Sequence, residues 1–284
     1  MGIHVVPDNT VRLDAGVLFG VPRQSWGSWV VPAKDNTVTL SINSLLVTIP
    51  DNNLIVNAGG GYLLGDEGLT LKGPALTRNL ARLGIYRQGI KHVILTSLGL
   101  EHAGGCLREY HLNQTDHLTA CFKQAGHYLP GPADRDGNSN GNGCVPMPKL
   151  DINSLVVLGV VADHTPPWVE YLEGPHTVVL LRLAGEHIAY LGGLVPTSLH
   201  LQDEVVPAYD AHRADTILQK RDVLSQAARK GWLLVFPHSL VVTQHTNRKE
   251  QRCEKGQHCE PGAGYLDLTR DGYQFRPIDL QGGA

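Results

Sequence analysis

The sequence predicts an α/β protein of the α+β kind, built from stacked helix and sheet layers. Short β-branched, apolar runs recur along the whole chain with helix-periodic segments between them, and such alternation buries sheet faces under helices. Charged residues make up 18% and hydrophobic residues 42% of the 284 positions, a composition that can fill the core of such a fold. A third feature locates the point of interest. Lys91-His92-Val93-Ile94-Leu95 reads as a buried strand and stops at Thr96-Ser97-Leu98-Gly99-Leu100-Glu101-His102-Ala103-Gly104-Gly105. A strand that ends in a polar turn and a Gly-Gly pair sets side chains at a sheet edge, where ligand sites form in α/β proteins.

In chain order, Leu13 to Pro22 reads as a strand interrupted by glycines and closed by proline. Val38–Leu40 and Leu45–Ile49 read as two further strands, and Asp51-Asn52-Asn53 as a tight turn into Leu54-Ile55-Val56. That strand meets Asn57-Ala58-Gly59-Gly60-Gly61, a glycine turn without the spacing of a dinucleotide or P-loop motif. Leu76, Leu80 and Leu83 follow Pro74 at helical spacing, with Gly84 placed to stop the helix. Thr119–Phe122 reads as a strand. The segment 130–148, rich in glycine, asparagine and proline, buries little apolar surface and reads as a flexible surface loop, either a tolerated insertion or a lid. Leu155–Leu158 reads as a strand, and Val178–Leu181 with His187–Tyr190 as a hairpin about Ala184-Gly185-Glu186. Asp215 is placed to cap a helix to about Lys230, with Ile217, Leu218, Leu224 and Ala228 for its buried side and Gly231 as its stop. Trp232–Phe236 is the strand that delivers Pro237-His238-Ser239, and Tyr273–Pro277 a closing edge strand.

These elements are expected to form one domain over residues 1–284. A formal charge of -3 gives no reason to expect nucleic acid or an acidic membrane surface as partner. No apolar run approaches the roughly 20 residues of a membrane span. Met1-Gly2-Ile3-His4-Val5-Val6 lacks the pattern of a signal peptide. Five scattered cysteines argue against a disulfide framework, so a cytoplasmic location is expected.

The segment Thr96–Gly105 resembles the metal-binding signature of the metallo-β-lactamase superfamily, Thr-His-x-His-x-Asp-His-x-Gly-Gly. Thr96, His102, Gly104 and Gly105 match, whereas Ser97, Gly99 and Glu101 stand where that pattern has histidine, histidine and aspartate. The resemblance covers nearly the whole chain and is greatest to the branch of methyl parathion hydrolase and related lactonases. Asp14, Phe19-Gly20 and Pro22 are similar to that branch's Asp-Gly-Gly-x-x-Phe-Gly-x-x-Pro element. Leu54–Gly59 is similar to its Leu-Ile-Asp-Thr-Gly strand end, with Asn57 for aspartate. Asp163-His164-Thr165-Pro166 is similar to Gly-His-Thr-Pro, and Gly192–His200 to Gly-Asp-x-x-Pro-Thr-x-x-His, with Gly193 at the bridging aspartate. Ala208-Tyr209-Asp210, Lys220 and Phe236–Ser239 follow the remaining pattern. The resemblance implies a four-layer αββα fold, two mixed sheets between helices, and homodimerisation at the family level.

It also implies which ligands are gone. The first metal of the family takes the positions of Ser97, Gly99 and His164, and one imidazole does not hold zinc, which takes about three protein ligands even at a catalytic site. The second takes the positions of Glu101, His102 and His238, a set that still suits one zinc, iron or manganese ion. The bridging oxygen is lost at Gly193, and the amide of Asn57 replaces a carboxylate that orients a neighbouring ligand. Two-metal hydrolysis is therefore not expected. The first reading is a pseudoenzyme of degenerate site that acts by binding a small molecule or a protein. The alternative is a mononuclear hydrolase of an ester, lactone or phosphoester using Glu101, His102 and His238. A third is a metal-free pocket in which His164, with Asp163, acts as general base.

Outside this set, Cys253 and Cys259 with His258 and His245 read as a charged polar loop at about 245–262 in preference to a metal clip. Cys106 and Cys121 read as small buried groups. His111, His117 and His127 read as surface or hydrogen-bonded residues, and His200 as a tie between loops.

Overall fold

The twelve residues from Thr37 to Thr48 form one strand, β2, and the first sheet is built around it. The computed structural model describes residues 1–66, 70–72, 74–112, 115–129, 150–242, 258–259, 262–269 and 272–280. The expected loop at 130–148 and most of that at 245–262, with Cys253, lie outside these residues.

One edge of β2 carries β1 (Gly2–Asp14), which in turn pairs with β4 (Thr70–Lys72). The opposite edge takes two partners end to end: β13 (His238–Val242) and β3 (Asn53–Val56). Beyond β3 lie β5 (Ile90–Ile94) and β8 (Gly126–Tyr128), both parallel to it, and β13 is flanked by β14 (His258–Cys259). The second sheet runs β16 (Gly272–Ile278), β15 (Ala263–Thr269), β12 (Leu233–Val235), β11 (Glu186–Tyr190), β10 (Val178–Leu183), β9 (Val169–Leu172). β6 (Leu107–Leu112) and β7 (Thr115–Ala120) form a separate ribbon.

The two-residue period of a strand divides the apolar side chains between layers. Leu45, Val47, Leu54, Val56 and Ile94 of the first sheet meet Val179, Leu181, Ile188, Tyr190, Leu233 and Val235 of the second in one cluster between the sheets. The alternate residues face outward. Leu40, Ile42, Leu46, Ile55 and Val93 pack with the helices α1 (Ala15–Phe19), α2 (Arg23–Trp26) and α4 (Leu76–Arg82), which follows α3 (Gly61–Asp66). Val178, Leu180, Ala189 and Leu234 pack against Val223, Leu224 and Ala227 of the long helix Arg213–Lys230. The order of layers is helix, sheet, sheet, helix, as the resemblance implies. No described helix is long and apolar enough to cross a membrane.

Four local readings differ. Ala15–Phe19 is a helix, not strand, because the Asp14 carboxylate accepts the Val17 N–H at its start and Gly20, at φ 60°, closes it. Helices α5 (Leu100–Ala103) and α6 (Ile152–Val157) come next in the chain, and α6 replaces the strand expected at Leu155–Leu158. Asp151 caps it; Leu155 is buried while Val157 is 84% exposed, a helical division that a four-residue apolar run does not reveal. The long helix, α7, begins at Arg213, and its buried side is Thr216, Lys220, Val223, Leu224 and Ala227, with Leu218 exposed. Lys220 is fully buried and donates to the carbonyls of His200, Gln202 and Val205 at 3.1, 2.7 and 3.0 Å, which pins the turn before α7. Within the expected polar loop, His258–Cys259 is strand.

Asp8, on β1, fastens the glycine turn. Its buried carboxylate accepts backbone N–H groups from Gly61 at 3.1 Å, Ala75 at 2.7 Å and Leu76 at 2.8 Å. It thereby caps the start of α4 and holds the entry to α3 together. Replacing it leaves buried donors unsatisfied, so Asp8→Ala is expected to lower stability by about 3 kcal/mol, read by chemical denaturation. A loss under about 1 kcal/mol would contradict this role.

Candidate functional site

The register of β2 fixes where the candidate residues meet. His238 pairs with Ile42 and Val56 pairs with Leu45, so β13 begins and β3 ends on the same edge, separated by Asn43 and Ser44. The Asn43 N–H donates to the Pro237 carbonyl at 2.8 Å, and the Asn57 N–H to the Ile94 carbonyl at 2.8 Å. The ends of β3 and the parallel β5 therefore lie side by side and present Asn57, Thr96 and Ser97 toward His238. Gly99 then starts α5, whose second and third residues are Glu101 and His102; the His102 carbonyl accepts the Ala58 N–H at 2.7 Å.

Close backbone approach makes this turn possible. A Cβ on Gly105 would sit 2.0 Å from the Ala58 carbonyl oxygen, and one on Gly104 would sit 2.2 Å from that of Gly60. Only glycine fits at either place.

Asn57, Thr96 and Tyr190 are hydrogen-bonded to one another, as are Ser97 and Nδ1 of His102. The Asn57 amide oxygen accepts the Thr96 N–H at 2.9 Å. Its NH2 donates to Thr96 Oγ1 at 2.9 Å and to Tyr190 Oη at 3.3 Å, and Tyr190 Oη donates to the Asn43 carbonyl at 2.6 Å. Asn57 holds φ 57°, a left-handed conformation that asparagine tolerates better than most residues. Ser97 Oγ accepts the Gly99 N–H at 3.2 Å and is bonded to Nδ1 of His102 at 2.8 Å. Thr96 Oγ1 lies 3.4 Å from the same nitrogen. Glu101 folds back over Gly99: a Cβ at residue 99 would lie 2.6 and 2.8 Å from the two Glu101 carboxylate oxygens. The carboxylate thus fills the space that a side chain at position 99 would need.

His102 and His238 are 1% and 0% exposed, with ring centroids 6.1 Å apart and planes inclined by 22°. Burial holds His102 neutral well below the usual imidazole range, helped by the nearby His238 and His176. Burial pushes His238 down to about 4, against a smaller opposing effect of the Ser41 backbone. Neither ring nitrogen of His238 makes a hydrogen bond among the described residues.

Of the other sequence-derived candidates, Gly193 lies buried in the 3-10 turn Gly192–Leu194 after β11. Its neighbour Gly192 would place a Cβ 3.3 Å from that of Thr96, so this turn abuts the strand end of the site. His164 and Asp163 are exposed in a bend before β9, while Glu101, His102 and His238 are buried. The histidine that does approach is His176, in the loop between β9 and β10. Thr177, beside it, brings its carbonyl to 2.6 Å from the Cβ position of Gly192. His176 Nε2 meets Asp210 Oδ2 at 2.8 Å, with both side chains 5% exposed or less. Burial raises the Asp210 pKa, but the bond to His176 and its charge outweigh that and leave it at about 2. The sequence signal for His176 was the Gly174-Pro175 turn just before a strand. His200 ties α1 to its own turn, bonding Thr197 Oγ1 and the Leu18 carbonyl, each at 3.0 Å.

A dinuclear centre does not fit these residues. Among the described residues no group of three or more His, Cys, Asp or Glu side chains is placed to hold a metal ion. The donor chemistry agrees: Glu101 is turned onto Gly99, Nδ1 of His102 is bonded to Ser97, and positions 97, 99 and 193 supply no imidazole or carboxylate.

No protein-family model and no curated protein matches the chain. Solved structures do. A probable metal-dependent hydrolase from Staphylococcus aureus is 18% identical, with 98% of this chain and 97% of that one covered and a TM-score of 0.68. AidC, a dizinc quorum-quenching lactonase seen with its product, is 14% identical over 98% of this chain and 94% of its own, with a TM-score of 0.67. The hydrolase AbOPH of the β-lactamase superfamily is 16% identical over 97% and 94%, with a TM-score of 0.64. With the layer order and strand register above, these likenesses establish that the chain has the metallo-β-lactamase fold.

Proposed function

We propose that this protein does not carry out the two-metal hydrolysis that its motif resemblance implies and acts by binding, its buried histidine site serving as a structural polar network. The observation that carries the reading is the Glu101 carboxylate lying in the space beside Gly99. A histidine at 99 and the Glu101 carboxylate in its present place exclude one another. The pairing of Ser97 with His102, and of Asn57 with Thr96 and Tyr190, supports it, because two of the altered positions are tied into local hydrogen bonds. The groups satisfied in this way, Asn57, Thr96, Ser97 and Nδ1 of His102, stabilise a unique core and do not require an ion.

One observation favours a second reading, a mononuclear hydrolase of an ester, lactone or phosphoester on Glu101, His102 and His238. The two ring nitrogens of His238 are fully buried and make no hydrogen bond among the described residues, a costly state that an ion would relieve. Turnover separates the two. Ester, lactone and phosphotriester substrates offered with added zinc or manganese are expected to react no faster with this protein than with its His102→Ala variant. A metal-dependent rate that the substitution abolishes would establish the second reading instead.

A further inference from the structure

Away from the histidines, the turn after α4, the first residues of β6 and the turn after β7 enclose a cavity of about 150 Å³. Its wall includes Arg87, Arg108, Lys123, the amides of Gln88 and Gln124, and the buried Cys121. Three cations from separate elements converge on this one cavity. Arg12, Arg182, Arg221 and Arg276 each pair with a carboxylate. Arg87, Arg108 and Lys123 form no ion pair among the described residues, and the charges of Arg87 and Arg108 both act on the Cys121 thiol. That thiol is a neutral floor, since burial pushes its pKa up and outweighs the two arginines beside it.

Three cations around a neutral floor repel one another, in a protein whose formal net charge is -3. The nearest carboxylates do not cancel them. Asp8 and Glu109 line an adjoining cavity of about 130 Å³, but Asp8 is committed to three backbone N–H groups and Glu109 is exposed. Two planar guanidinium forks and an ammonium, from three separate elements, form a donor set suited to a tetrahedral oxyanion.

We propose that this cleft, lined by Arg87, Arg108 and Lys123, binds a small oxyanion of the phosphate class, with the adjoining cavity taking a small substituent on it. The site goes beyond the function proposed above and does not depend on the state of the buried histidines. Such a substituent would rest against Gly61 and Gly105, which wall the second cavity.

Inorganic phosphate titrated into the full chain tests this, with thermal unfolding and calorimetry as readouts and sodium chloride of equal ionic strength as control. Saturable stabilisation by phosphate, absent with chloride, is expected. Affinity should fall about ten-fold in Lys123→Gln, which alters an exposed side chain, and further in Arg108→Gln. If phosphate stabilises no better than chloride, or both variants bind as tightly as the parent, the proposal is overturned. Retention of the parent's unfolding midpoint by Lys123→Gln without phosphate shows that its lost binding is not lost folding.

Discussion

Acidification from about pH 8 to about pH 5 is expected to remove roughly 6 kcal/mol of folding stability, which is most of what a domain commonly has. The cause is a set of histidines buried as neutral imidazoles. Burial depresses His127 and His238 to about 4 and His200 to about 3. An unfolded histidine titrates near 6.5. Between those values the unfolded chain binds protons that the folded chain refuses, so stability is complete above about pH 6.5 and is lost as pH falls toward 4. Each of the three contributes about 2 kcal/mol at pH 5, and His102, shifted the same way, adds to the loss. Asp8 works in the opposite direction, because burial raises its carboxyl above the ordinary range, and it offsets part of the effect. Urea unfolding at pH 8, 6.5 and 5 reads this directly: the midpoint should fall slightly between the first two, for a loss of about 0.4 kcal/mol per histidine, and drop steeply at the third. An unchanged midpoint at pH 5 would mean that these imidazoles are not buried neutral.

The second large effect is expected at the glycine contact beneath α5. Gly105→Ala would force a methyl group to within 2.0 Å of the Ala58 carbonyl oxygen, and both atoms belong to the backbone. No side-chain rotation relieves such a clash, so the turn or α5 must move, at a cost of about 3 kcal/mol or more. The natural comparison is Gly84→Ala. Gly84 also matters for its conformation, φ 75°, but a Cβ there meets nothing within 4 Å. That substitution should cost only about 1 kcal/mol of left-handed strain. Thermal unfolding of the two variants side by side distinguishes close packing from conformation. Equal tolerance of both would remove the claim that glycine is required at 105 for space.

Much of the architecture was legible because strands and their turns follow simple periods. The apolar runs Val178–Leu181 and His187–Tyr190 about the Ala184-Gly185-Glu186 turn specified a hairpin, and its odd and even residues divide between two cores. Gly84 and Gly231 stopped their helices in the left-handed conformation that glycine permits. What failed was short and depended on tertiary context. Ala15–Phe19 and Leu155–Leu158 are brief apolar runs that look the same as strand or helix, and only the capping bonds from Asp14 and Asp151 select the helix. Strands β1 and β15 passed unremarked, since neither is strongly apolar and both gain their order from partners far along the chain.

At the candidate site, position was legible and orientation was not. Sequence comparison placed Asn57, Ser97, Glu101, His102 and His238 near one another, and the register of β2 explains why they converge. It could not reveal that Glu101 lies back over Gly99, because that depends on a missing side chain at one position making room for a longer one at another. Nor could it choose between His164, exposed in its bend, and His176, buried against Asp210. The Gly174-Pro175 turn before β10 was the only local hint, and the pairing with Asp210 comes from a segment far along the chain.

The central claim is that the buried polar network replaces the metal centre of the structural neighbours. Metal content of freshly purified, untagged protein, measured by plasma mass spectrometry beside the His102→Ala variant, tests it most directly. The expected result is no zinc, iron or manganese above the level of the variant, even after incubation with excess zinc. About one ion per chain, retained through dialysis and lost in the variant, would contradict the account and establish a mononuclear centre on Glu101, His102 and His238.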